Sequence, residues 1–154
     1  MALHIVLVEP EIPANTGNIS RTCAATGTIL HLVRPLGFHT DDKTLKRAGL
    51  DYWHAVQIHY HDSFEELQQQ YPDGRFFCST TKATNRYVDV QFRDGDFLVF
   101  GKETAGLPAA ILDAHQDTLI RLPMTDAVRS LNLSNAAAIV LYEALRQLHF
   151  PAQI

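Results

Sequence analysis

The chain is poor in cysteine, and its apolar residues form no long uninterrupted runs. Cys23 and Cys78 are the only cysteines, and they form neither a Cys-x-x-Cys pair nor a disulfide framework. We therefore predict a reducing, cytoplasmic environment. The apolar run Ile5 to Val8 has no basic residue before it and leads into an acidic residue and a proline, so we expect no signal peptide. The run Ala136 to Tyr142 is too short to span a membrane.

Several common signatures of nucleotide-binding and catalytic sites are also missing. There is no Gly-x-Gly-x-x-Gly, which disfavours a dinucleotide site, and no Gly-x-Ser-x-Gly, which excludes the commonest hydrolase elbow. Gly95 to Lys102 is only superficially like a P-loop, because Glu103 stands where a magnesium-binding hydroxyl is needed. His59, His61 and Asp62 have no second group of ligands at a suitable spacing, so we predict no metal site.

Composition allows one domain and leaves an RNA partner open. The 154 residues are 46% hydrophobic, which is enough for one core, and we predict a single domain over residues 1–154. The net charge of −4 argues against nucleic acid, but phosphate binding depends on the local density of basic side chains. Basic residues gather at Lys43, Lys46 and Arg47 and at Lys82 and Arg86, while Arg21, Arg34, Arg121 and Arg129 lie near the motifs below. Taken alone, such clusters more often form ordinary solvated surface than a nucleic-acid site.

Strands and helices alternate along the chain. The predicted strands are His4–Val8, Ile29–Val33, Val56–Tyr60, Arg75–Thr80, Asp96–Phe100 and Thr118–Leu122. The predicted helices run from an Asn15 cap to Gly27, from an Asp41 or Asp42 cap to Gly49, from a Ser63 and Glu66 capping box to Tyr71, from Ala109 to His115 after Pro108, and from Ser134 to His149. This order predicts an α/β domain with a mainly parallel sheet and helices on both faces.

Three loops at strand ends carry the residues best suited to binding. The first is Asn15 to Ile19 with Arg21 one turn later, where backbone N–H groups at a helix start can bind an anion. The second is Phe100 to Pro108, whose two glycines let the backbone approach a ligand closely. The third reaches from Ile120 to Ala136 and holds more polar side chains than one helix cap needs. Taken singly, a capped helix or a plain turn explains the first two loops as well.

In this order and spacing, the three loops resemble the three motifs of the SPOUT RNA methyltransferases, specifically the small TrmL (YibK-like) branch. The matching segments are Asn-Thr-Gly-Asn at 15–18 with Arg21, Gly-x-Glu-x-x-Gly-Leu at 101–107, and Ser-Leu-Asn-Leu-Ser-Asn-Ala at 130–136. The segment Arg47 to Trp53 fits as well. The resemblance extends from Ile5 to Phe150 and is specific because the three motifs occur together.

The resemblance implies a fold, a cofactor and an assembly. It implies a trefoil knot formed by roughly Thr80 to Phe150, S-adenosylmethionine as methyl donor without a metal, and a homodimer whose active site is built across the interface. A monomer is expected to be inactive. The cofactor-binding residues implied by matching positions are Ser79, Thr80, Gly101, Glu103, Ile120, Leu122, Ser130, Leu131 and Ala136.

The implied activity is 2′-O-methylation of the wobble ribose, at cytidine or uridine 34 of tRNA. Arg21 is the first catalytic candidate, as a phosphate anchor and electrostatic stabiliser, since a guanidinium remains protonated and cannot serve as a base. Asn18, Ser130, Asn132 and Tyr142 are candidates for orienting the hydroxyl. Two positions depart from the pattern: Ser79 replaces an apolar residue, and Ala105 stands where relatives often carry a basic one.

Other functions remain compatible with the sequence. The chain could be a non-catalytic RNA-binding module that keeps the cofactor pocket as a structural feature. It could also methylate another tRNA position or ribosomal RNA, because the sequence does not identify the target nucleotide. The sequence likewise does not identify which tRNA isoacceptors are methylated or whether a prior base modification is required.

Overall fold

A single parallel sheet organises the part of the chain that the computed structural model describes, residues 2–40 and 43–154. Its strands are β1 (His4–Val8), β2 (Ile29–Val33), β3 (Ile58–His61), β4 (Phe76–Ser79), β5 (Phe97–Gly101) and β6 (Leu119–Ile120). They lie in the order β3-β2-β1-β5-β4-β6, and every neighbouring pair is parallel. The predicted parallel sheet is therefore confirmed.

Helices cover both faces of this sheet, as predicted. They are α1 (Pro13–Thr26), α2 (Lys43–Gly49), α3 (Phe64–Gln70), α4 (Ala109–Ala114) and α5 (Leu133–Gln147), with 3₁₀ turns at Leu50–Ala55 and Gln116–Thr118. Because side chains alternate across a strand, Ile5 and Leu7 of β1 join the core beneath α1 and α5. Val6 and Val8 join the opposite core with α3 and α4. The sheet is thus packed between helices on both of its faces.

Some predicted boundaries were wrong by a few residues. β3 begins at Ile58 and ends at His61, since it pairs with β2 in a register that sets Ile58 beside Leu30 and His61 beside Val33. β6 is an edge strand paired only with the end of β4, so it contains two residues, Leu119 and Ile120, instead of five. The predicted cap at Asp41 or Asp42 lies outside the described residues.

The start of α1 also differs from the prediction, whereas other helix signals hold. Asn15 does not cap α1: Pro13 opens the helix, and Ile12 occupies the cap position without a side-chain bond. At the other end, α1 stops at Gly27 as predicted, and this glycine adopts a left-handed conformation with φ of 67°. Ser63 caps α3 as predicted, accepting a hydrogen bond from the Glu66 amide at 3.0 Å.

The C-terminal part of the chain returns across the sheet. β6 lies at the edge beside β4, but the following helix, α5, packs against α1 and β5 nearer the centre. The trefoil knot expected over Thr80 to Phe150 stays a prediction. Within the described ranges, no helix has the length and apolar character needed to cross a membrane.

A row of histidines interrupts the otherwise apolar core beneath α3 and α4. Nδ1 of His4 lies 2.8 Å from Nε2 of His31, and Nδ1 of His31 lies 2.9 Å from Nε2 of His61. The His4 ring also stacks on Phe97, with ring centroids 4.0 Å apart. Burial, followed by neighbouring histidines, lowers the pKa of His4 to about 4 and the pKa of His31 to about 2. These side chains are therefore neutral in the folded protein at neutral pH.

We predict that this histidine row makes the fold sensitive to acid. Because the folded-state pKa values lie below the ordinary histidine value of about 6.5, stability is full above that pH and declines below it, where the unfolded chain binds protons first. The free energy of unfolding, measured by urea denaturation, should fall by about 2–4 kcal/mol between about pH 7.5 and about pH 5.

A pair of variants isolates the contribution of the row. His31→Gln removes a titrating group from the core and should flatten the dependence of stability on pH. His39→Gln, at an exposed histidine, should retain the wild-type dependence. Equal pH profiles for the two variants would show that the buried row is not the origin of the effect.

Candidate active site

A cavity of about 450 Å³ opens at the carboxyl edge of the sheet, where β4 and β5 end. Ser79 and Gly101 form its floor at the ends of those strands, and Leu122 lines it just beyond β6. The loop after β5 and the segment before α5 form its walls, and Asn15 reaches it from α1. The three loops selected from the sequence thus meet at one place. Ligands commonly bind at this edge of parallel sheets, in cavities of about 300–1,000 Å³.

Most of the predicted cofactor-binding residues line this cavity. The lining members of that set are Ser79, Thr80, Gly101, Glu103, Leu122, Ser130, Leu131 and Ala136. Ile120 does not line it: its side chain is fully buried, and its carbonyl oxygen accepts a hydrogen bond from the Thr80 amide at 2.9 Å. Ile120 therefore supports the floor of the cavity.

Gly101 allows the backbone to form this floor. Its φ is +120°, and a Cβ at this position would overlap the carbonyl oxygen of Val8 and lie 3.0 Å from the Val8 nitrogen. The loop beyond it closes through two backbone hydrogen bonds between Lys102 and Gly106, of 3.0 and 2.9 Å. A side chain at position 101 would displace the adjoining strand, so only glycine leaves the backbone exposed at this point of the floor. An exposed backbone suits a cofactor that is held largely by backbone groups.

We predict that Gly101→Ala damages both the fold and the cavity. The added methyl group strains φ and pushes against β1, which should lower the free energy of unfolding by about 2–4 kcal/mol and abolish measurable S-adenosylmethionine binding. Gly106→Ala is the matched control, since Gly106 also has a positive φ, of +71°, but a Cβ added there would have no atom within 4 Å. It should cost only about 1 kcal/mol. Wild-type cofactor affinity in Gly101→Ala, measured by titration calorimetry, would contradict this assignment.

The predicted catalytic residues fall into two groups. Ser130 and Asn132 line the cavity. Asn18 and Arg21 lie exposed on α1, and Tyr142 lies exposed on α5; none of the three is part of the cavity lining. One described protomer therefore brings together only part of the predicted constellation.

Glu103 lines the cavity, but its carboxylate is bonded to the start of α1. Oε1 accepts a hydrogen bond from the Glu11 amide at 2.9 Å, and Oε2 accepts one from the Ile12 amide at 2.9 Å. Oε2 also accepts one from Nδ2 of Asn15 at 3.2 Å. The anion at the start of α1 is therefore the Glu103 carboxylate, and its backbone donors are the amides of Glu11 and Ile12. The predicted donors at the start of the Asn15 to Ile19 segment are used otherwise, since the Asn15 and Thr16 amides bond to the Ile12 carbonyl oxygen. A negative charge here also interacts favourably with the helix dipole.

Sequence reasoning did not predict Asn15 and Met124 as cavity residues, although both line it. The sequence indicates a helix cap at Asn15, because a cap and a cavity side chain give the same local pattern. No local signal distinguishes Met124 from an ordinary loop residue.

Lys82 and Arg129, two of the basic residues noted in the sequence, also line the cavity and are exposed. They give the mouth of the cavity a local positive charge despite the net charge of −4.

An exposed apolar surface lies on α5 and the segment after it. Ile139, Tyr142 and Phe150 are 40%, 47% and 40% exposed. The rings of Tyr142 and Phe150 have centroids 6.5 Å apart. α5 packs beside α1, which carries Arg21. We call Ile139, Tyr142 and Phe150 the α5 surface.

Comparison with known proteins decides the family. Residues 2–142 match the SpoU rRNA Methylase family. The chain belongs to this family. The SpoU assignment confirms the RNA methyltransferase resemblance and agrees with the parallel sheet and the cavity at its carboxyl edge.

Individual SpoU-type relatives resemble the chain over nearly its whole length. A protein of Escherichia coli (strain K12) named tRNA (cytidine(34)-2'-O)-methyltransferase is 50% identical over 153 residues, covering 99% of this chain and 98% of that protein. A solved structure described as giving insights into the 2-OH methylation of C/U34 on tRNA has a TM-score of 0.92 at 45% identity, covering 96% of this chain and 97% of the other. The SpoU methyltransferase AviRb from Streptomyces viridochromogenes, in complex with the cofactor AdoMet, has a TM-score of 0.85 at 25% identity, covering 96% and 61%.

Proposed function

We propose that this SpoU-family protein transfers a methyl group from S-adenosylmethionine to the 2′-hydroxyl of the wobble nucleotide of tRNA, cytidine or uridine 34. The observation that carries the proposal is the meeting of the three motif loops at one cavity on the carboxyl edge of the sheet. The 50% identity to the Escherichia coli tRNA (cytidine(34)-2'-O)-methyltransferase supports the choice of target.

The cavity fits the proposed cofactor in volume and in the character of its walls. Gly101 exposes backbone where a side chain would not fit, and Leu122 and Ala136 add apolar contact. Ser79, Thr80 and Ser130 add polar side chains, and Leu131 lies at the rim. When bound, S-adenosylmethionine supplies an electrophilic methyl group on its sulfonium. Among the described residues, no group of three histidine, cysteine or acidic side chains could hold a metal ion, and the chemistry requires none.

The residues of the chain must orient the ribose hydroxyl and stabilise the negative charge that develops on its oxygen. Ser130 and Asn132 line the cavity, and we assign them the role of orienting this hydroxyl. Arg21 acts as a phosphate anchor and electrostatic stabiliser, since its guanidinium stays protonated. Asn18, one turn before Arg21, and Tyr142 complete the proposed set.

The position of Arg21 supports a homodimer with a shared active site. Arg21, Asn18 and Tyr142 lie outside the cavity that Ser130 and Asn132 line, so a second copy is proposed to bring them to it. The α5 surface provides exposed apolar area for that contact, and its Tyr142 is itself one of the predicted site residues. In this assembly each active site consists of the cavity of one protomer and of side chains from α1 and α5 of the other.

An exposed nucleotide of the anticodon loop is the kind of target that proteins recognise in RNA, because an unpaired base can be turned out towards a cavity. Lys82 and Arg129 at the cavity mouth are available for neighbouring phosphates. We place the enzyme in the cytoplasm, where the unpaired, buried Cys23 and Cys78 remain reduced.

Label transfer tests the proposal against its alternatives. The purified protein is incubated with S-adenosylmethionine carrying a labelled methyl group and either bulk tRNA or ribosomal RNA lacking the modification. Label in a 2′-O-methylated nucleoside of tRNA is the expected result. Label in ribosomal RNA alone would favour the other enzymatic target, and cofactor binding without transfer to either RNA would favour a non-catalytic RNA-binding module.

A further inference from the structure

A continuous chain of hydrogen bonds joins the three motif loops at the cavity. It begins at Glu103, whose Oε2 accepts from Nδ2 of Asn15 at 3.2 Å. Oδ1 of Asn15 then accepts from Nδ2 of Asn132 at 3.0 Å. Oδ1 of Asn132 accepts from the Asn135 amide at 3.1 Å and from the Ser134 hydroxyl at 2.5 Å. The chain thus runs from the loop after β5, through α1, to the first turn of α5.

The two ends of this hydrogen-bonded chain fix the direction of its bonds, because the Glu103 carboxylate only accepts and the Asn135 amide only donates. A carboxylate only accepts hydrogen bonds, so Asn15 must turn its NH₂ group towards Glu103 and its oxygen towards Asn132. Asn132 must then present its NH₂ group to Asn15 and its oxygen to the start of α5. Without the carboxylate, the NH₂ group of Asn15 loses its acceptor, and the Asn15 amide can rotate by half a turn. Its NH₂ group would then face the NH₂ group of Asn132, and the bond that ties Asn132 to α1 would be lost.

We propose that Glu103 is a positioning residue for methyl transfer: through Asn15 it holds Asn132, a side chain of the cavity, in one orientation. This inference rests on the proposed function. The same carboxylate holds the backbone of Glu11 and Ile12, directly before the helix that carries Arg21. One charged group therefore fixes a polar side chain in the cavity and the entry to the helix that supplies Arg21.

This role differs from direct binding of the cofactor by the carboxylate. Both oxygens of Glu103 already accept hydrogen bonds from Glu11, Ile12 and Asn15. A donor on the cofactor would have to compete with these bonds. The loop of Glu103 still forms the cavity wall, but the carboxylate itself acts through its neighbours.

The decisive variant is Glu103→Ala, compared with the wild-type protein in three measurements. The turnover number on tRNA should fall by about 100-fold, as expected when a reacting group loses its alignment. The dissociation constant of S-adenosylmethionine, from titration calorimetry, should change by less than about 3-fold, since the carboxylate does not bind the cofactor. Hydrogen exchange at the Asn135 amide, followed by NMR, should accelerate by about 10-fold because its acceptor is no longer held.

Three further variants separate positioning from simple loss of structure. Glu11→Ala removes the side chain that accepts hydrogen bonds from the Thr104 amide and hydroxyl at 3.0 and 2.7 Å, which join the same two loops outside the hydrogen-bonded chain. Because Glu11 is not among the cavity-lining residues and its backbone amide is kept, turnover and Asn135 exchange should stay unchanged. Glu103→Gln retains one acceptor oxygen and should restore most of the turnover lost in Glu103→Ala. If Glu103→Ala does not fold, Asn15→Ala interrupts the hydrogen-bonded chain while keeping both bonds from the backbone to Glu103. It should reproduce the loss of turnover.

Each contrary result has a distinct meaning. Weaker cofactor binding with unchanged turnover in Glu103→Ala would show that the carboxylate binds the cofactor and would overturn the inference. Equal losses of turnover in Glu11→Ala and Glu103→Ala would reduce Glu103 to a loop contact and would also overturn it. If the wild-type protein methylates no tRNA, the proposed function fails; unchanged Asn135 exchange in Glu103→Ala would separately refute the hydrogen-bonded chain.

Discussion

Arg21→Ala should lower methyl transfer to tRNA by about 100- to 1,000-fold, the usual cost of removing one electrostatic stabiliser of a developing negative charge. Arg21 lies exposed on α1, so its loss should change the free energy of unfolding by only about 0.5 kcal/mol. Transfer of labelled methyl groups under single-turnover conditions measures the effect on the reaction, and urea denaturation measures the effect on stability.

Two further substitutions give this experiment its controls. Arg21→Lys keeps the positive charge but loses the planar group that binds phosphate through two hydrogen bonds, so intermediate activity is expected. Arg93→Ala removes an exposed arginine just before β5, at the opposite edge of the sheet from the cavity, and should retain full activity. Wild-type activity in Arg21→Ala would rule out the proposed role.

Mixing two inactive variants should restore activity if the active site is shared between protomers. Arg21→Ala removes a side chain that the protomer supplies to the active site of its partner, whereas Asn132→Ala inactivates the cavity of its own protomer. A heterodimer of the two contains one site with both defects and one with neither. Random reassociation makes half of the dimers mixed, so about a quarter of the wild-type activity is expected.

Disruption of the α5 surface supplies the complementary test. Tyr142→Asp places a charge in the proposed interface and should give an inactive monomer by light scattering. Because Tyr142 is also a site candidate, Ile139→Asp serves as the matched variant for the interface alone, and its activity should fall with the dimer fraction. A fully active monomer, or no recovery in the mixed sample, would contradict the shared site.

Local sequence patterns predicted the elements of this fold well, because their causes lie within a few residues. Ser63 ends an extended segment and caps α3, and Gly27 takes a left-handed conformation that other residues adopt at a cost. The strand His4–Val8 was identified with its observed bounds because it is continuously apolar and is buried on both faces.

Long-range packing determined what the local patterns could not predict. The length of β6 depends on how much of β4 remains for pairing, which is a property of the sheet and not of its own residues. The start of α1 depends on Glu103, which is 88 positions away from Asn15 and satisfies the backbone ahead of the helix. Asn15 has the composition of a cap, but its side chain is used to connect Glu103 with Asn132.

The candidate site was predictable chiefly because three motifs occurred together. Each loop alone fits a turn or a capped helix, and only their joint resemblance indicated a common cavity. In the structure Asn15, Gly101 and Ser130, one residue from each loop, line the same cavity. The same resemblance placed Arg21 near the cofactor across an interface. That placement stays a prediction, because one protomer leaves Arg21 outside the cavity.

The central claim is that the 2′-hydroxyl of nucleotide 34 accepts the methyl group. Two tRNAs assembled by ligation test it most directly, identical except that one carries a ribose and the other a 2′-deoxyribose at position 34. Labelled methyl groups should transfer to the ribose form and be recovered in the 2′-O-methylated nucleoside, and none should transfer to the deoxy form. Equal transfer to both tRNAs would contradict the account, because the methyl group would then be attached elsewhere.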